Sequence, residues 1–206
     1  MKKLIFGIFI LVLMHSSLIA QTEWRMKAFV GMSDAALLEK VNFLGGASYE
    51  VSDFYDLGLR IQRKWHPKWA VETGISYSFA QILISPNIPP GTTFPINGLS
   101  IIEESTDFEM LSLPVLASYQ LFDFLALQAG PMLNFQLSDS PSSRQSGLGY
   151  LIGLSLSHDF DKFGLFLQPN FKRHASIVPF EQNYRRLTEF GLQFGLAYKL
   201  SSSRMK

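Results

Sequence analysis

Bulky apolar side chains recur at every second position through most of this chain, and that period marks β-strands with two unlike faces. Near the C-terminus, Phe190, Leu192, Phe194, Leu196, Tyr198 and Leu200 alternate with Gly191, Gln193, Gly195, Ala197 and Lys199. The same pattern sets Tyr150, Ile152, Leu154 and Leu156 against Gly149, Gly153, Ser155 and Ser157. It sets Val71, Ile75, Tyr77 and Phe79 against Glu72, Gly74, Ser76 and Ser78. Leu57, Leu59 and Ile61 oppose Gly58, Arg60 and Gln62, while Leu165, Leu167 and Phe171 oppose Gly164, Gln168, Asn170 and Lys172. With the alternating stretches near Trp24–Met32, Phe108–Leu121 and Leu125–Leu137, the chain offers eight strands. In Phe108–Leu121 both faces are apolar at Leu113, Val115 and Leu116, so pattern alone does not fix its facing.

The connections alternate in length, and this rhythm sets the topology. Ser33–Asp53 and Leu83–Ser105 are long, Ser138–Ser146 and His174–Arg186 intermediate, and Lys64–Lys68, Phe122–Phe124 and Asp159–Lys162 tight. Short turns on one side and longer loops on the other describe an antiparallel up-and-down barrel. A soluble eight-stranded barrel would put its bulky face inside. An eight-stranded barrel is only wide enough to be filled by side chains, so the small, hydrogen-bonding face here belongs in the lumen and the bulky face meets a medium without water. Aromatic residues gather at both ends of the bulky face. Trp24, Trp65, Trp69, Phe122, Phe124, Phe160, Phe163 and Tyr198 lie towards the short turns. Phe79, Phe108, Phe135, Tyr150, Phe171 and Phe190 lie towards the long loops. Two such girdles around an apolar band fit a lipid bilayer. The expected fold is an all-β, eight-stranded antiparallel transmembrane barrel.

Lys2 and Lys3 precede the apolar run Leu4–Met14, and His15–Ala20 follows. This is the pattern of a cleavable export signal over residues 1–20, which leaves 21–206 as one barrel domain. Lys+Arg is 18 and Asp+Glu 17 among 206 residues, so no net field favours nucleic acid as a partner. The absence of cysteine excludes disulfides, thiolate metal sites and a cysteine nucleophile. No metal-ligand or phosphate-cradling motif is present, and no cofactor is expected.

Phe108–Tyr119, with its central Leu113-Pro114 pair, resembles a strand of the outer-membrane β-barrel family that includes PorT-like proteins. Leu127–Leu133, containing Ala129-Gly130-Pro131, and the Gly-rich closing stretch Gly191–Leu200 resemble two further strands of that family. The resemblance implies an outer-membrane location and contact with outer-membrane lipid. It brings no catalytic residues, and it allows an accessory role in a secretion machinery. The tail Ser201–Lys206 departs from the family's usual ending at the last strand.

Two groups of polar residues stand out against this background. Arg60 and Glu72 flank the Lys64–Lys68 turn on inward positions, and Lys172 and Glu189 are a second inward set. Buried charges must be paired, so these are expected to plug the lumen as interior charge pairs. Arg173-His174-Ala175-Ser176, with Glu189 on the next strand, resembles the His-x-Ser and Glu of outer-membrane lipid A deacylases. A serine activated by a carboxylate-oriented histidine is hydrolase chemistry. That family continues Asn-Ala-Gly after its serine, whereas Ile177-Val178-Pro179 follows here, and its site faces lipid, whereas His174 and Ser176 share the parity of inward residues. The expected function is therefore non-enzymatic: a plugged barrel acting through loops 33–53 and 83–105 on a surface ligand or protein partner.

Overall fold

The computed structural model describes residues 23–39, 48–85, 104–139, 144–177 and 185–201. The expected leader at 1–20 lies outside these residues, as do 40–47 and 86–103, within the two connections the sequence pattern marks as long. Eight strands, β1 (Glu23–Glu39), β2 (Ser48–His66), β3 (Trp69–Ser85), β4 (Glu104–Phe122), β5 (Leu125–Gln136), β6 (Gly147–Phe160), β7 (Phe163–Ile177) and β8 (Arg185–Ser201), follow one another around a closed barrel. Each pairs antiparallel with its chain neighbour, and β8 closes onto β1 through Met26↔Tyr198 and Met32↔Leu192. Closure leaves no sheet edge, which is what allows strands to stand in lipid with every ladder satisfied.

In the part of the wall nearer the short turns most bulky residues point outward, although Phe29, Phe166, Leu116, Met132 and Leu151 pack inside. Met26, Val30, Leu57, Leu59, Ile75, Val115, Ile152, Leu165, Phe194 and Leu196 are all exposed. Lys27, Arg60, Glu72, Ser112, Gln128, Gln168 and Gln193 are buried in the lumen. Trp24, Trp65, Trp69, Phe122, Phe124, Phe160 and Phe163 are exposed near the short turns. Within that belt Phe122 stacks on Phe124 at 5.8 Å and Trp69 meets Tyr119 at 4.8 Å. On the loop side Phe171 bridges Tyr150 at 6.1 Å and Phe190 at 5.0 Å, while Tyr55 packs on Phe79 at 5.6 Å. Phe108 does not belong to this outer set. It is 2% exposed and packs inside the barrel, because inward positions in β4 are the even-numbered ones, Phe108, Met110, Ser112, Leu116 and Ser118. Leu113 and Val115 face out and Leu116 faces in, which settles the register the pattern left open.

The loops expected at Ser33–Asp53, Leu83–Ser105 and His174–Arg186 are shorter than their sequence limits, because the strands run on into them. β1 continues to Glu39 and β2 begins at Ser48; β3 ends at Ser85 and β4 begins at Glu104; β7 reaches Ile177 and β8 starts at Arg185. Strands of 17 to 19 residues in β1–β4 far exceed the roughly 9–11 needed to cross a bilayer. Beyond the upper girdle the facing inverts. Asp34, Gln81, Asp107 and Glu109 point outward and are exposed, while Ala35, Phe54, Ala80, Ile82, Phe108, Met110 and Leu187 form one buried cluster inside. Ile84, inside the connection expected at Leu83–Ser105, belongs to β3 and packs partly buried against that cluster. A wall standing in water needs an apolar interior, whereas a wall in lipid can hold a polar one. The chain changes from one arrangement to the other where it leaves the membrane.

Candidate functional site

The lumen is where the chain places its ionisable residues, so the site is built from the inward positions of five strands. In β1, Lys27 lies between outward Met26 and Ala28; in β2, Asp56 and Arg60 share the parity of Gly58. Lys27 Nζ donates to Glu72 Oε2 at 2.6 Å, and Arg60 Nη1 donates to Glu72 Oε1 at 3.1 Å. The hairpin register sets Gln62 opposite Glu72 and Arg60 opposite Gly74, so the Arg60–Glu72 pair is diagonal. Gly74 leaves room for it, since a Cβ there would lie 3.0 Å from Arg60 Cγ. The guanidinium also donates to Gln168 Oε1 at 3.1 Å and Gln193 Oε1 at 2.8 Å, and lies over the Phe29 ring at 4.2 Å.

Gln193 links this lower group to an upper one. Its Nε2 donates to Asp56 Oδ2 at 3.1 Å, and Ser78 Oγ donates to Asp56 Oδ1 at 2.6 Å. Lys172 Nζ is shared between Asp56 Oδ2 and Glu189 Oε2, the latter at 2.9 Å, and His174 Nε2 contacts Glu189 Oε1. Lys172 and Glu189 are direct register partners on β7 and β8. Among the described residues the buried lumen therefore holds three carboxylates, three strong cations and one histidine. The three carboxylates balance the three strong cations, which meets the requirement that buried charge be paired. Lys27 and Asp56 were missed by the reading of the sequence. Alternation with their outward neighbours was the signal that could have found them.

The serine of the hydrolase-like set does not join its histidine. The alternation of β7 breaks at Ala175, which has φ 45° and is completely buried beside His174, while Ser176 is half-buried. The β6–β7 register shifts at the same place, from Tyr150↔Arg173 to Leu148↔Ile177. The shared inward parity expected for His174 and Ser176 is broken by this bulge. Arg186 Nη1 donates to the carbonyl oxygens of Ala175 and Ser176 and holds it. Ser176 Oγ and His174 Nδ1 each lack a hydrogen-bond partner, so the serine–histidine contact that activates a nucleophile is not made.

Above the charges, the apolar cluster of Phe54, Phe108, Met110 and Leu187 fills the lumen. Gln145, from the β5–β6 connection, crosses its mouth. Its backbone N–H donates to Gln136 Oε1 at 2.6 Å, and its side chain bonds the backbone of β8 at Arg185 O and Leu187 N. With the lumen filled at these levels, the reconstituted protein is expected to show little steady conductance in planar bilayers. A stable nanosiemens-scale pore would show that the packed interior opens.

No family model matches the sequence, and no curated protein matches it either. The similarity to known proteins lies in the fold. The solid-state NMR structure of outer membrane protein AlkL in lipid bilayers superposes with a TM-score of 0.56 at 13% identity, covering 90% of this chain and 93% of that one. OprG from Pseudomonas aeruginosa gives 0.49 at 13% identity, over 88% of this chain and 96% of its own. Ail of Yersinia pestis gives 0.45 at 14% identity, over 85% and 99%. The narrower PorT-like resemblance finds no family match. The closed ring of eight antiparallel strands, its outward apolar belt and the likeness to AlkL agree: this chain is an eight-stranded β-barrel of the cell outer membrane.

Proposed function

We propose that this protein is a non-enzymatic outer-membrane barrel that works through its extracellular loops, as a surface binding protein or an accessory to other membrane proteins. The observation that carries this reading is the filled lumen. Arg60, Glu72, Gln168 and Gln193 occupy its middle, and the Phe54–Phe108 cluster occupies its outer part. With a wall in lipid and no passage through the interior, contact with a soluble partner on the loop side falls to the rim and loops. The connection within Ser33–Asp53 spans 40–47, that within Leu83–Ser105 spans 86–103 and is the longest between any two strands, and both rise from the tall β1–β4 part of the wall. The second carries Pro86, Pro89, Pro90 and Pro95 among Ile88, Phe94 and Ile96. Prolines reduce the entropy lost on ordering, and apolar side chains supply contact area. The secretion-accessory role implied by the PorT-like resemblance would use the same loops.

Deleting 87–97 is expected to leave a folded, heat-modifiable barrel and to abolish the phenotype of the full protein. Activity retained in that deletion but lost in His174→Ala or Ser176→Ala would overturn the binding reading in favour of hydrolysis.

A further inference from the structure

At the short-turn end the lumen opens into a polar vestibule of about 420 Å³, closed above by the charge network and therefore blind. That volume lies within the roughly 300–1,000 Å³ typical of small-molecule sites. Its inner end is formed by Lys27, Gln128, Ser118, Ser155 and Phe166, and its mouth carries Arg25, Lys64, Lys68, Asp123 and Asp159.

The inner end holds an unmet demand. Lys27 Nζ and Gln128 Nε2 both donate to Glu72 Oε2, at 2.6 and 3.2 Å, so the two head groups are neighbours. Gln128 is completely buried and its Oε1 has no hydrogen-bond partner. The amide cannot be reversed to relieve this, because its nitrogen is the group that faces the carboxylate. An ammonium has three N–H donors, and Glu72 takes one from Lys27. A spare donor therefore lies beside a spare acceptor. A secondary amide, which accepts through its carbonyl and donates through its N–H, complements that pair.

The mouth has a sign. Arg25 and Asp159 pair at 2.9 Å, with Glu23 and Lys199 as further partners at 2.6 and 3.1 Å. Lys64 and Lys68 make no ion pair with any described residue, and Asp123 is the remaining acid. The residual charge is positive, which favours an anionic group at the entrance.

We propose that the vestibule binds a short acidic peptide from the short-turn side, which in outer-membrane barrels faces the periplasm, with an amide on Lys27 and Gln128 and a carboxylate near Lys64 and Lys68. The side chains that follow Ser201, Ser-Ser-Arg-Met-Lys, include two cations and no acid, so they do not supply the acidic side chain that a positive mouth favours.

The test is titration of the full barrel in nanodiscs with N-acetyl-Ala-Glu, by calorimetry or ligand-observed NMR. N-acetyl-Ala-Lys-amide and glutarate serve as comparison probes. Binding of N-acetyl-Ala-Glu with a Kd of about 1 mM or tighter is expected, with the two other probes at least roughly tenfold weaker. Lys64→Gln/Lys68→Gln should weaken it by about tenfold, and Gln128→Met should weaken it while heat-modifiable mobility is kept. If Gln128→Met does not fold, the glutarate comparison and the lysine double variant decide. Equal binding of glutarate would reduce the site to a patch for any anion and overturn the peptide assignment. So would no binding up to about 10 mM, or unchanged affinity in the lysine double variant. Tighter binding after truncation at Ser201 would show that the tail is the occupant instead.

Discussion

Glu72→Ala is expected to destabilise the barrel by about 3–5 kcal/mol, the range for breaking a buried ion pair from one side. Glu72 is completely buried and is the carboxylate to which both Lys27 and Arg60 donate. Its loss leaves two cations in a space closed to bulk water above, with Gln128 Nε2 also stripped of its acceptor. The measurement is the urea midpoint of the transition between heat-modifiable folded and unfolded bands in detergent or lipid. Removing both sides is a sharper version of the test. Lys27→Met combined with Glu72→Gln should recover part of the loss, because it returns the lumen as a whole to equal numbers of carboxylates and strong cations, Asp56 and Glu189 against Arg60 and Lys172. Glu72→Ala with an unchanged midpoint would mean that water reaches the network and solvates its cations.

The second large effect is expected at Gly195. A Cβ built there would lie 2.0 Å from the carbonyl oxygen of Ala28 and 2.8 Å from Phe29 Cα. Both are backbone atoms of β1, on the strand pair that closes the barrel. No side-chain rotation can relieve the overlap, so Gly195→Ala must push β8 away from β1. The expected cost is about 3 kcal/mol or more, at the upper end of overpacking, with strongly reduced yield of the folded band. Gly164→Ala is the matched control. Its closest neighbour is Asp159 Oδ1 at 2.6 Å, a movable side-chain atom beside the Asp161 turn, and it should fold in near-normal yield. Similar behaviour of the two variants would show that the β1–β8 closure is less tightly set than its geometry.

Different parts of the site were legible to different degrees. Arg60 and Glu72 could be brought together on paper because a tight turn sets their hairpin register locally. Lys172 and Glu189 are likewise on adjacent strands, although a longer connection separates them. Asp56 could not be matched to Lys172 by any local rule, since they meet across the lumen from β2 and β7. Phe108 was misplaced for a related reason. Its strand is apolar on both faces, and the rule that bulk points outward fails above the membrane, where Phe54, Ile82 and Phe108 turn in. The Ser176 parity failed at a bulge centred on Ala175, whose positive φ has no glycine to announce it.

The sequence by itself determined eight strands, their antiparallel order and the lipid-facing side, because side-chain alternation and turn length are local properties that survive without a fold. Only the tertiary structure decided which charges meet, how far the wall rises beyond the bilayer and that the lumen ends in a blind vestibule. Those depend on the stagger with which β8 closes onto β1. Stagger belongs to the whole ring and fixes which inward side chains share a level, so no single strand carries it.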